Sequence, residues 1–205
     1  MKKNIDDIIE YENEHSCLDF KRSQYLKPQY GELLKDIIAM ANVISEEVKL
    51  IVIGIKHLPN GVREFHSIID KDFIDAATYQ QLIRENIEPD LQVNYESYRY
   101  KDNLFGIFHL LDCSNPPYLL KKDFGDKLKK GDCFIRKGSH QTRINRSDLD
   151  KFYESKNKKP NFSEVIEIGF LNTSCFKEIT IQTTNLNDLP SEVEARKIRH
   201  ALENR

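Results

Sequence analysis

Between Pro28 and Ile44, apolar side chains fall at Leu33, Leu34, Ile37, Ile38 and Ala41, the three-and-four spacing of one helix face. The next apolar run, Leu50-Ile51-Val52-Ile53-Gly54-Ile55, shows no polar alternation and is rich in β-branched residues. Such a run predicts a strand covered on both faces. Ahead of the helix, Glu14 to Lys21 reads as a short strand. Pro59-Asn60-Gly61 marks a turn, and Asp75 caps a helix that runs through Gln80-Gln81-Leu82-Ile83 and closes before Pro89. Three more strands are predicted: Leu91–Tyr95 by alternation, Leu104–Leu111 by near-continuous apolarity, and Asp132–Lys137. Asn145 then caps a helix carrying Leu149, Phe152 and Tyr153.

Residues 155–160, Ser-Lys-Asn-Lys-Lys-Pro, have linker composition. Beyond them Lys177–Thr183 alternates Ile179 and Ile181 as a strand, and Ser191 with Glu194 forms a capping box opening a last helix to Arg205. That helix is expected to bury Val193, Ile198, Ala201 and Leu202 against the domain or a second copy of the chain. Alternating strands and helices, with no internal repeat, predict an α/β domain over residues 1–155: a mixed sheet flanked by helices. Residues 156–205 form a small C-terminal strand–helix appendage.

Composition narrows the class. The 205 residues are 39% apolar, which allows a real core, and 31% charged, which suits a surface that meets polyanions. No run of ~18 apolar residues exists to span a bilayer, and the N-terminus lacks the apolar stretch of a signal peptide. The expected location is the cytoplasm. Cys17, Cys113, Cys133 and Cys175 include no C-x-x-C pair, so neither a zinc knuckle nor a redox pair is indicated. They read as small buried hydrophobes; Cys17 has His15 and Lys21 near it in sequence, the setting a reactive thiolate would need.

The net charge is only −2, but its distribution is uneven. Residues 1–15 carry Asp6, Asp7, Glu10, Glu12 and Glu14 against Lys2 and Lys3. Residues 121–146 carry nine Lys and Arg against Asp123, Asp126 and Asp132, a local excess of six positive charges. Asymmetry of this kind concerns partners rather than fold.

Four stretches resemble the Schlafen AlbA-like family, in the family's order: Glu14-His-Ser-Cys-Leu-Asp19-Phe-Lys21, Leu34 to Asn42, Ile51-Val-Ile-Gly-Ile55 and Gly131-Asp-Cys-Phe-Ile-Arg-Lys-Gly-Ser139. The resemblance implies a Schlafen-core-like fold and a role with nucleic acid. Two departures stand out. Ser45-Glu46-Glu47-Val48 replaces a Gly-Gly pair usual in the family, and Lys56-His57 falls where its nucleases carry a third acid.

Two groups of residues carry the candidate chemistry. Metal-dependent cleavage needs clustered carboxylates for a hard cation such as Mg²⁺ or Mn²⁺. The resemblance implies Glu14 and Asp19 as metal ligands and, with Lys21 and His57, as the catalytic set. Asp19 and Lys21 share a strand face by period-2 alternation, so the lysine can stabilise charge developing on phosphate. The second group is Lys121, Lys122, Arg136, Lys137, Ser139, Arg143 and Arg146, cations and a Gly-Ser turn suited to phosphates. Tyr95, Tyr98, Tyr100 and Tyr118 read as core or cross-strand residues rather than base-stacking platforms. His66 and His109 read as packed. No G-x-x-x-x-G-K-[ST] occurs, which excludes a P-loop.

The expectation is a nucleic-acid-binding module, for DNA or RNA, contacting phosphates with low sequence specificity and requiring no cofactor, in a regulatory or defence protein. The alternative is a metal-dependent endoribonuclease using Mg²⁺ or Mn²⁺. A scaffold that meets an acidic protein through its basic face is the third reading.

Overall fold

The structure, a computed structural model, describes residues 4–58, 61–157, 168–173 and 176–181. The elements of the first unit are α1 (Ile5–Tyr11), β1 (Leu18–Lys21), α2 (Tyr30–Ala41), β2 (Lys49–Ile53), β3 (Ile55–His57), β4 (Arg63–Phe65), α3 (Ala76–Asn86), β5 (Ile87–Glu88), β6 (Gln92–Tyr100), β7 (Asn103–Leu111), β8 (Leu119–Leu120), β9 (Phe134–Lys137), β10 (His140–Arg143) and α4 (Arg146–Asn157). The chain divides into compact units at Met1–Lys156 and Asn157–Arg205. In the second, β11 (Ile168–Thr173) and β12 (Phe176–Ile181) pair antiparallel, Ile168 opposite Ile181. The expected helix from Ser191 lies outside the described residues.

The central sheet has strand order β1-β2-β7-β6. It is mixed: β1 runs parallel to β2, while β7 lies antiparallel to both β2 and β6. The unbroken apolar run of β2 follows from this position. Ile51 and Ile53 face a core built with Leu33, Leu34, Ile37 and Ile38 of α2 and Tyr79 and Ile83 of α3. Leu50 and Val52 face a second core with Ile8, Ile9, Phe105 and Ile107. Both faces are dry, so neither register can be polar.

Gly54 ends that run. At φ +102° it turns the chain out of β2 and into the β3–β4 hairpin, so the continuous strand expected through Ile55 is two strands. A side chain here would also press on Phe105, 2.8 Å from the ideal Cβ position. The strand expected from Glu14 begins only at Leu18, after a tight turn in which His15 and Leu18 exchange backbone hydrogen bonds of 3.0 and 3.2 Å.

α1 was hidden in a segment whose acidic residues dominate its sequence. Ile5, Ile8 and Ile9 nonetheless fall at helical spacing, Asn4 caps it, and Asp6 and Asp7 suit the positive end of the helix dipole. The helix covers the lower face of the sheet, where the phenols of Tyr98 and Tyr100 donate to Asp6 and Glu10.

The hairpin β9–β10 packs on the outer side of α2. That third layer explains why α2 is buried well beyond one stripe, at Leu33, Leu34, Asp36, Ile37, Ile38, Ala39, Met40 and Ala41. Asn42 locks the layers together. Its amide donates to the carbonyls of Tyr118 and Phe134, both at 2.8 Å, and its carbonyl accepts from the Tyr118 N–H at 2.7 Å. The ammonium of Lys49 caps the same helix end, donating to the carbonyls of Ala41 (3.1 Å) and Val43 (2.6 Å). α4 opens as expected, with Asn145 Oδ1 accepting from the Asp148 N–H at 3.1 Å, but it continues through Ser155 and Lys156, read from sequence as linker.

Candidate nucleic-acid interface

Strand alternation places Leu18 and Phe20 of β1 in the α1-side core and turns Asp19 and Lys21 toward α2. There Asp19 enters a buried charge cluster. Its Oδ2 lies 3.0 Å from Lys21 Nζ and 3.0 Å from Arg136 Nη1. Lys21 also pairs with Asp36 Oδ2 at 3.1 Å. Asp36 accepts from the Tyr25 phenol at 2.6 Å and from Gln141 Nε2 at 3.0 Å. Two carboxylates and two cations therefore balance in the space between β1, α2 and the β9–β10 hairpin.

Burial decides what this cluster can touch. The Arg136 and Asp19 side chains are 3% and 6% exposed, and Lys21 is 31% exposed. Burial alone would lower the Lys21 pKa, but Asp36 and Asp19 outweigh it and hold the ammonium above its ordinary value. Burial, reinforced by Asp36, pushes the Tyr25 phenol well up. The guanidinium of Arg136 thus reaches inward to Asp19, joining two residues that the sequence assigns to separate sites, cleavage and phosphate binding.

Glu14 is occupied differently. Its Oε1 accepts from the Phe20 N–H at 3.2 Å, satisfying a backbone donor on the outer edge of β1. His57, on β3, packs its ring 6.2 Å from that of Phe20. Phe20 belongs to the α1-side core, so this contact lies across the sheet from the side chain of Asp19. Among the described residues, the group of three or more His, Cys, Asp and Glu side chains whose ligand atoms all converge within 4.8 Å is His15, Cys17 and Glu47.

The basic segment forms a surface of its own. Leu120 N–H donates to the Asp132 carbonyl at 2.9 Å, and Gly131 N–H donates to that of Leu120 at 2.8 Å, closing residues 121–131 into a loop. Asp132 then grips Arg143 with both carboxylate oxygens, Nη2 to Oδ2 at 3.2 Å. Through these bonds the loop carrying Lys121, Lys122, Lys127, Lys129 and Lys130 adjoins the β9–β10 hairpin and the start of α4. Lys121, Lys122, Lys137, Ser139, Arg143 and Arg146 are exposed, and Arg136 is the one buried member of the expected set.

The local charge excess is smaller in space than in sequence. Lys122 pairs with Glu85, Lys137 with Asp148, Arg146 with Asp150 and Arg136 with Asp19, all partners outside residues 121–146. The Lys122–Glu85 and Arg146–Asp150 pairs are at the surface, where an ion pair contributes about 0–1 kcal/mol and yields readily to a phosphate. Asp132 and Asp148 are firmer anchors. Burial would raise both carboxyl pKa values, but the Lys129 N–H and Arg143 lower that of Asp132, and Lys137 and the Asn145 N–H lower that of Asp148.

The family model described as Schlafen, AlbA_2 matches residues 14–145, most of the first unit and more than half of the chain. The chain belongs to the Schlafen AlbA_2 family. Among solved structures, this Schlafen AlbA_2 domain is similar to the N-terminal domain of a RecG-related protein from Nitrosomonas europaea. The identity is 12% and the TM-score 0.40, over 69% of this chain and 92% of that one. No curated protein matches. No helix among the described residues is long and apolar enough to cross a membrane.

Sequence reasoning missed Asp36, Tyr25 and Gln141 as partners in the charge cluster of the domain. Asp36 left a signal. It stands three residues after Leu33 and four before Met40, inside the apolar arc of α2, where a carboxylate must find buried partners. Gln141 left none, because β10 itself was not expected. The tyrosines behave as expected of core and cross-strand residues: Tyr95 and Tyr118 are buried, and Tyr98 and Tyr100 bond to α1. His66 and His109 are partly buried, His109 lying 3.0 Å from Glu96 on the neighbouring strand.

Proposed function

We propose that this Schlafen AlbA_2 domain binds nucleic acid, DNA or RNA, through its phosphates, with little sequence preference and without cutting it, as part of a regulatory or defence protein. Family membership supports a nucleic-acid-related role. The observation that carries the finer reading is the exposure of Lys121, Lys122, Lys137, Ser139, Arg143 and Arg146 on one connected stretch of loop, hairpin and helix start. Cations there neutralise phosphates and release counterions, and the Gly138-Ser139 turn offers backbone N–H groups and a hydroxyl. The use made of the carboxylates supports binding without cleavage. Asp19 spends its charge on Arg136 and Lys21, and one oxygen of Glu14 accepts a backbone N–H, which disfavours their joint use on Mg²⁺ or Mn²⁺.

The test is fluorescence anisotropy with labelled single- and double-stranded RNA and DNA across a salt series. Replacing Lys121, Lys122 and Arg146 together by glutamine should weaken binding on every sequence. It should also lower the salt slope by about 0.9 for each duplex phosphate that the variant no longer neutralises. Unchanged affinity and slope in the folded variant would refute the interface. Rapid cleavage of the RNA in Mg²⁺, abolished by Asp19→Asn, would refute binding without cutting.

A further inference from the structure

We propose that His15, Cys17 and Glu47 form a binding site for a borderline-soft transition metal, with Zn²⁺ the best match, at the α1 side of the parallel β1–β2 pair. The topology creates the convergence. Residues just before two neighbouring parallel strands must lie side by side, and the Leu50 N–H donating to the Cys17 carbonyl at 2.9 Å fixes that register. The tight turn from His15 to Leu18 brings His15 and Cys17 together, and Glu47 reaches them from the loop that enters β2. No local cysteine motif announces the site, because its ligands come from two separate segments.

One ligand atom from each of the three lies within 4.8 Å of the others. His15 Nδ1 stands 3.8 Å from Glu47 Oε2. Tetrahedral Zn²⁺, with bonds of about 2.3 Å to sulfur and about 2.0–2.1 Å to nitrogen and oxygen, needs ligand atoms roughly 3.3–3.6 Å apart. The His15 and Glu47 side chains are 35% and 58% exposed and so can change rotamer to tighten the set. A thiolate, an imidazole and one carboxylate select Zn²⁺ over Mg²⁺ or Ca²⁺, which take oxygen ligands throughout.

Two further features bear on a metal here. The Cys17 N–H donates to His15 Nδ1 at 3.2 Å, so that nitrogen is the unprotonated one, and a cation would take its lone pair in place of this long hydrogen bond. On the other side of the ring, Nε2 lies 3.7 Å from Glu12 Oε2, beyond hydrogen-bond distance but within a small shift of the carboxylate–imidazole arrangement that orients metal-bound histidines. In addition a cavity of about 640 Å³, lined by Glu12, His15, Cys17 and Glu47 among others, opens beside the three ligands. It leaves a fourth coordination position for water or an incoming ligand.

The test uses the whole untagged chain, freed of metal by a chelator and titrated with Co²⁺ and then Zn²⁺. One equivalent of Co²⁺ should bind with a thiolate-to-cobalt charge-transfer band, and Zn²⁺ but not Mg²⁺ should displace it. His15→Ala and Cys17→Ser should abolish the band, whereas Cys113→Ser should leave it intact. Glu12→Gln should keep the band while weakening affinity about 10–100-fold, as loss of a partner that orients the ligand does. Absence of the band in the natural protein, or its survival in folded Cys17→Ser, would overturn the assignment. Cys17 is buried, so that variant can lose its fold. Glu47→Gln, at an exposed position, covers that case: an unchanged Co²⁺ affinity there would equally overturn the site.

Discussion

Replacing Arg136 by methionine keeps an unbranched stem reaching about as far as the arginine Nε and removes the guanidinium charge. In the folded protein the guanidinium is 3% exposed and lies 3.0 Å from Asp19 Oδ2, with the Asp19 side chain itself 6% exposed. Breaking such a pair from one side typically costs about 3–5 kcal/mol, because the abandoned charge stays buried. Asp19 retains Lys21 at 3.0 Å, which places the expected loss at the lower end, about 3 kcal/mol. Asp19→Asn should cost more, since arginine cannot shed its proton and Arg136 already has Nε and Nη2 buried without a hydrogen-bond partner among the described residues. The double variant Asp19→Asn with Arg136→Met should recover part of the sum. Urea unfolding followed by far-ultraviolet circular dichroism reads these differences. With a slope of about 2 kcal/mol/M, the midpoint for Arg136→Met should fall by about 1.5 M. A midpoint unchanged from the natural protein, accompanied by weaker nucleic-acid binding, would refute the reasoning. It would mean that Arg136 faces outward to phosphate.

Three other measurements probe the fold and its ionisation. Gly106→Ala should destabilise by about 1–3 kcal/mol in thermal unfolding, because its Cβ would sit 2.2 Å from Tyr95 Oη, and Tyr95→Phe in the same chain should relieve part of that loss. Asn42→Ala should cost about 3 kcal/mol in urea, since it strands two carbonyls and one N–H in a fully buried site; a cost near zero would show that the three layers do not depend on it. The hydrogen bond to Asp6, with burial added, pushes the Tyr98 pKa up to about 12. The folded state therefore keeps this proton longer than the unfolded one. The stability it confers is present below about pH 10, where the unfolded phenol titrates, and is lost as pH rises toward 12. In an ultraviolet phenolate titration, Asp6→Asn should bring one tyrosine back toward its ordinary value.

Much of this architecture was legible in local pattern. Periodicity and end signals located α2, α3 and α4, unbroken apolarity identified β2 as a strand buried on both faces, and near-continuous apolarity identified β7 as a strand, because helix faces and doubly covered strands write themselves into neighbouring residues. The order of four short stretches was enough to suggest the family, since together they span the elements of the first unit from β1 to the β9–β10 turn. The family itself rests on the match over residues 14–145. What local pattern could not hold is the pairing of residues distant in sequence. Lys121–Arg146 looks strongly basic as a string, yet four of its cations find carboxylates elsewhere in the chain. Asp19 and Arg136 look like two surface ligands for different partners until the β9–β10 hairpin folds over α2 and joins them. His15, Cys17 and Glu47 become neighbours only because β1 and β2 run parallel. A side chain's type and spacing state what chemistry it can perform, but charge neutralisation, burial and convergence are properties of distances that only the packed chain sets.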